Sequence, residues 1–107
     1  MSDKTRRQKL EAMLASDATD HLLRYGLAME YVSAGDHETA VQQFRVLIEN
    51  TPKPYVPAYL MAAQSLVKLA KPGEAVMLLK EGIPAAKKQG DRHAVDEMNT
   101  LLESLEE

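Results

Sequence analysis

A chain of 107 residues makes one domain, able to hide about 60% of its unfolded surface and so to hold a core without covalent staples. It has no Cys, which excludes disulfides, thiolate zinc sites and cysteine nucleophiles together and fits a reducing, cytoplasmic setting. Sixteen acidic against thirteen basic residues leave it mildly negative, with no general attraction to nucleic acid or to a membrane surface; the start MSDKTRRQKLEAML lacks the apolar core of a signal peptide, and no stretch approaches a membrane span.

Apolar residues recur at spacings of three and four rather than two, so the expected fold class is all-α. A first helix is expected over residues 4–15, with Leu10, Met13 and Leu14 as its apolar stripe and Arg6, Arg7 and Lys9 on the wetter sides. The polar run Ser16 to Asp20 breaks it, and Asp20 is placed to cap the next helix. That second helix, His21 to Ala34, carries two apolar rows: Leu23, Leu27, Tyr31 and Ala34 in one, Leu22, Tyr25, Met29 and Val32 in the other. One row packs against a neighbour; the second calls for a groove, another neighbour or a partner.

Gly26 and Ala28 leave room for close helix approach, Gly35 suits a left-handed helix end, and Asp36 caps a third helix, His37 to Asn50. This helix is expected to bury Ala40, Val41, Phe44, Leu47 and Ile48. The run TPKPYVP holds three prolines and cannot be helix. A polyproline recognition motif is its sharper reading, but a stiff connector, with Pro57 in the first turn of the next helix, explains the run fully.

The fourth helix, Val56 to Ala70, repeats the two-faced pattern, with Tyr59, Ala62, Ala63 and Leu66 on one side and Leu60, Gln64 and Val67 on the other. Lys71-Pro72-Gly73 is expected to make the following turn. The fifth helix buries Ala75, Val76, Leu79 and Ile83, with Gly82 at the place of Leu47, and Pro84 lacks the N–H that would bond Lys80, so a kink is expected there. Asp91 caps a sixth helix that turns Val95, Met98, Leu101, Leu102 and Leu105 inward and Asp96, Glu97, Glu103, Glu106 and Glu107 outward.

Counting forward by 35 residues pairs Ala28 with Ala63, Val32 with Val67, Ala40 with Ala75, Val41 with Val76 and Ile48 with Ile83, all identical. Buried-type residues persist while the polar ones between them drift, as when each unit solves the same packing problem. In the first unit Leu27-Ala28, Tyr31, Gly35-Asp36, Ala40, Phe44 and Pro52 resemble the signature of the tetratricopeptide repeat, whose period is about 34 residues. In the second, Tyr59, Ala63, Leu66, Ala75 and Leu79 fit the same pattern, without the Gly-Asp turn and the closing proline.

The resemblance implies a short right-handed α-solenoid of antiparallel helix pairs, a single domain over 1–107. Its parts are a helix at 4–15, repeats at 21–52 and 56–89, and a terminal capping helix at 91–105. It further implies a protein–protein interaction module of the adaptor, scaffold or co-chaperone type, whose concave groove is lined by the first helix of each repeat. By the family's habit the groove row is Leu22, Tyr25, Met29 and Val32 with Leu60, Gln64, Val67 and Lys68. Some members grip a partner's C-terminal carboxylate with Lys, Arg and Asn in that row. Here Tyr25, Met29 and Leu60 occupy such places, so an apolar or amphipathic peptide or helix is the expected ligand. The alternative is a homo-oligomer, joined through the same face or by the basic first helix meeting the acidic last one.

Catalytic and metal motifs fail one by one. His37-Glu38 opens an HExxH pattern, but Val41 stands where the second His belongs. His93, Asp96 and Glu97 share a helical face that reads as an outward, solvated surface rather than a ligand set. With no glycine-rich phosphate loop, nucleophile elbow or convergent acid and base, the expectation is no enzyme, no metal and no cofactor. Lys4, Arg6, Arg7 and Lys9, interspersed with Asp3 and Glu11, read as a solvated face and not a nucleic-acid site. Among the methionines Met29 alone has a groove position; Met13, Met61, Met77 and Met98 are expected as core filler or edge contacts.

Overall fold

The computed structural model describes residues 5–107, and its helices begin where the sequence supplies caps. Thr5 accepts from the Gln8 backbone N–H while the Gln8 side chain accepts from the Thr5 N–H, a reciprocal pair that opens α1 (Arg6–Ser16). The expected start at Lys4 lies outside the described residues; Thr5 as the cap puts the first helical residue at Arg6, and the helix ends one residue later than expected. Asp20, Asp36 and Asp91 each accept from the N–H three residues on, opening α2 (His21–Ser33), α3 (His37–Asn50) and α6 (Arg92–Leu105). Where no side chain caps, a proline in the first turn opens the helix: Pro57 in α4 (Val56–Lys68) and Pro72 in α5 (Pro72–Lys88).

Three helices end on the same turn. Gly35, Ala70 and Gly90 adopt left-handed φ values of 78°, 59° and 73°. The next N–H in each case reaches back five residues, Asp36 to Tyr31, Lys71 to Leu66 and Asp91 to Ala86, at 2.8–2.9 Å. The second of these turns departs from expectation. The repeat step maps Gly35 onto Ala70, so an alanine holds the left-handed position, and Pro72 and Gly73, expected in the turn, already belong to α5. The packing of the two repeats imposes the turn even where the residue carrying it has a Cβ.

Consecutive helices pack as antiparallel neighbours from α1 to α6, and α4 also touches α6. The result is an elongated solenoid with extents of 51 × 29 × 20 Å. Leu10 and Leu14 of α1 close a small cluster with Leu27, flanked by Leu23 and Tyr31, which uses the first apolar row of α2. The main core joins Ala28, Phe44, Leu47, Leu66, Leu79 and Met98 across the remaining helices. Met13, expected in the α1 stripe, is 50% exposed, because α1 has a neighbour on one side and its cluster is filled by Leu10 and Leu14. Val76 and Ile48 are half-buried rather than buried, and Leu78 takes a core place in α5. That helix runs unbroken through Pro84 to Lys88.

Ser65 is the buried polar side chain of the core. Its hydroxyl lies 3.0 Å from Nδ1 of His37, so the first residue of α3 ties that helix to α4. Such a bond satisfies a hydroxyl that burial would otherwise leave without a partner.

Candidate partner-binding groove

The second row of α2 is not left bare by the stacking of the repeats. Tyr25 packs its ring against Tyr55 at 5.2 Å and against Phe44 at 5.9 Å between centroids, while Met29 and Val32 are half-buried against the main core. His21 adds an edge-on contact to Tyr55 at 5.6 Å. Tyr55 comes from the proline connector, which Gln89 holds by donating to the Pro54 carbonyl at 2.7 Å. The connector is thus a structural brace for the aromatic cluster.

Beside Tyr25 the surface falls into a furrow between α4 and α6. One depression of about 310 Å³ is walled by Tyr25, Leu60, Met61, Ala94 and the charged groups at the start of α6; its neighbour, about 430 Å³, continues along Leu101, Thr100 and Ser104. Leu60, Gln64, His93 and Glu97 line both, so the two are one continuous groove. Tyr25, Leu60 and Gln64 are thereby brought together from two repeats. Leu22 is 65% exposed and Val67 37%, and with Lys68 they lie on the same helices without lining the furrow.

From the sequence, His93, Asp96 and Glu97 are expected on an outward face. All three are exposed, with 86% of the His93 side chain accessible, and they form the open α6 side of the groove opposite Leu60 and Gln64, with His93 Nε2 2.9 Å from Glu97. Contact between α4 and α6 sets this exposed face beside Leu60 and Gln64, and the clue in the sequence is the mapping of Met98 onto Ala63, which makes α6 a third groove helix. Among the described residues no three His, Cys, Asp or Glu side chains are grouped to hold a metal ion.

Burial raises the phenol of Tyr25 above its ordinary value, with Tyr55 adding to it; burial likewise raises Tyr55, Tyr59 and Tyr31, helped by Glu81 at Tyr59 and by the hydrogen bond to Glu11 at Tyr31. A phenol harder to ionise in the folded chain binds more protons there than in the unfolded chain once the unfolded groups titrate. Stability is therefore fully present below the unfolded value of 10.0 and is lost as pH rises from there through the folded values. Urea midpoints are expected to be flat from neutral pH to about 9 and to fall above about 10; Tyr25→Phe should shrink the fall, and an unchanged slope would contradict this origin.

Stacked antiparallel helix pairs with a concave furrow between first helices define a helical-repeat protein of the interaction type. A TPR repeat-containing protein of Pseudomonas aeruginosa is 31% identical over 97 residues, spanning 91% of each chain. The chain belongs to the tetratricopeptide repeat family. A Bordetella parapertussis protein solved in solution has the same fold at a TM-score of 0.82 and 26% identity, over 96% of this chain and 89% of that one. A crystal structure of a tetratricopeptide repeat domain protein from Salinibacter ruber matches at 0.75 and 25% identity, over 81% of this chain and 97% of that one. No family model matches the chain. The fold is in general a non-catalytic, protein-binding one, and no helix among the described residues is long and apolar enough to cross a membrane.

Proposed function

We propose that this chain is an adaptor or scaffold module whose furrow between α4 and α6 holds an apolar or amphipathic segment of another protein. The observation that carries the reading is the convergence of Tyr25, Leu60 and Gln64, from helices of different repeats, on one continuous groove. Tyr25 and Leu60 are half-buried, so each keeps apolar surface for a ligand to cover while its position is held by the core beneath. A ring already fixed by Tyr55 and Phe44 gives up little conformational freedom on binding, which is why such residues anchor interfaces. Met29 and Val32 extend the row along α2, and Leu22, Val67 and Lys68 form its exposed flanks.

The test is capture of partners from the native cell with the wild type and with Tyr25→Ala/Leu60→Ala. Loss of an anchor at the centre of an interface costs about 2 kcal/mol or more, roughly thirtyfold in affinity. The double variant should lose the proteins that the wild type retains, whereas Met77→Ala, at a position 66% exposed on α5, should keep them. Circular dichroism of each variant reports whether its helices survive the change. Recovery of the same proteins at the same yield by the folded double variant would show the groove assignment to be wrong.

A further inference from the structure

We infer that the segment this furrow takes is an amphipathic one carrying Lys or Arg beside its apolar row; the inference rests on the groove reading above and adds the chemistry of the partner. Tyr25, Leu60 and Met61 give the furrow an apolar side, with Gln64 neutral among them. The facing wall, from α6, carries Asp91, Asp96 and Glu97, and no Lys or Arg lines either depression. The carboxylate of Asp91 is engaged by the Ala94 N–H, and Glu97 meets His93. Among the described residues Asp96 forms no ion pair.

Cations do stand nearby. Arg92 and Lys87 line a separate depression with Asp91 and Asp96, and Lys68 lies one turn beyond Gln64 on α4. None of the three reaches the furrow, so its own wall remains negative. A segment with acidic flanks would bring like charges against that wall, whereas one with basic flanks would be steered to it and fixed in register along α6. The apolar side sets that something binds; the acidic wall sets which way round and with what charge.

The test compares two synthetic helical peptides with the same Leu spacing, one with Lys on its polar face and one with Glu, by titration calorimetry against the full chain. In about 50 mM NaCl the Lys peptide should bind at least about tenfold tighter, and the gap should narrow in about 500 mM NaCl. Asp96→Asn with Glu97→Gln should close the gap, while Glu38→Gln with Glu49→Gln, an equal charge change on α3, should preserve it. Equal binding of the two peptides, or a gap that survives the α6 change, overturns the charge preference and leaves the groove reading intact. No binding of either peptide, or binding of both unaffected by Tyr25→Ala/Leu60→Ala, overturns the two together. Light scattering that shows a concentration-dependent dimer, lost in the α6 variant, would put the basic α1 of a second copy in the furrow, which upholds the charge preference and overturns the reading that the segment belongs to another protein.

Discussion

Phe44→Ala is expected to destabilise the chain by about 3–5 kcal/mol. Phe44 is fully buried on α3, and the elements around it are those that define the stack: α3 packs against both α2 and α4. Removing its ring opens a cavity between the two repeats and takes away a face on which Tyr25 rests, 5.9 Å away. A domain of this size has about 5–15 kcal/mol in hand, and each kcal/mol moves the melting temperature by about 4–8 °C. The urea midpoint should fall steeply, whereas Phe44→Leu, which keeps most of the volume, should cost about 1.5 kcal/mol or less. A loss below about 1 kcal/mol for the alanine would mean that the repeats do not meet through this ring.

Gly82→Ala is expected to destabilise even though alanine is the better helix former. A Cβ at Gly82 would stand 2.7 Å from Tyr59 Cβ, 2.9 Å from Tyr59 Cγ and 2.9 Å from Met98 Sδ. The methionine sulfur can yield, but the Tyr59 Cβ is fixed to the α4 backbone, so α4 and α5 must move apart. The propensity gain is about 1 kcal/mol. Overpacking of a tight helix contact costs about 1–3 kcal/mol, and loss of the α4–α5 fit adds to it, so the clash wins. Gly26→Ala is the internal contrast. Its Cβ would meet Leu10 at 3.6–3.7 Å, ordinary contact, and the same substitution should there stabilise by up to about 1 kcal/mol. Urea titration of the two variants reads the opposite signs; stabilisation at both positions would contradict the close approach of α4 and α5.

Much of this architecture is legible before any coordinates, because it rests on local chemistry. Asp20, Asp36 and Asp91 announce helix starts through a cap that involves residues three apart, and they open helices as the sequence indicates. Spacing likewise marks Ala28, Phe44, Leu66 and Leu79 as core. The misses share one cause, a tertiary contact that outweighs a local preference. Ala70 takes a left-handed turn that glycine would hold with less strain, since the repeat register fixes where the turn must fall. Met13, read as part of the α1 apolar stripe, comes to the surface because its burial depends on which neighbour α1 faces.

The groove was legible in part. Tyr25, Leu60 and Gln64 follow from the two-faced pattern of α2 and α4, and the structure brings them into one furrow. The contribution of α6 is not legible in the sequence, because an exposed charged row on a last helix looks the same whether or not it also borders a concavity. His93, Asp96 and Glu97 acquire their place only when α6 folds back on α4.

Amide chemical shifts of the folded chain, titrated with the Lys-bearing amphipathic peptide, test the central claim most directly. The largest changes are expected to cluster on Leu60, Gln64, His93 and Glu97 and to spread to Tyr25, the residues that wall the furrow. Changes concentrated instead on α1, α3 and α5, around Met13, Val46 and Met77, whose side chains are exposed away from the furrow, would contradict it.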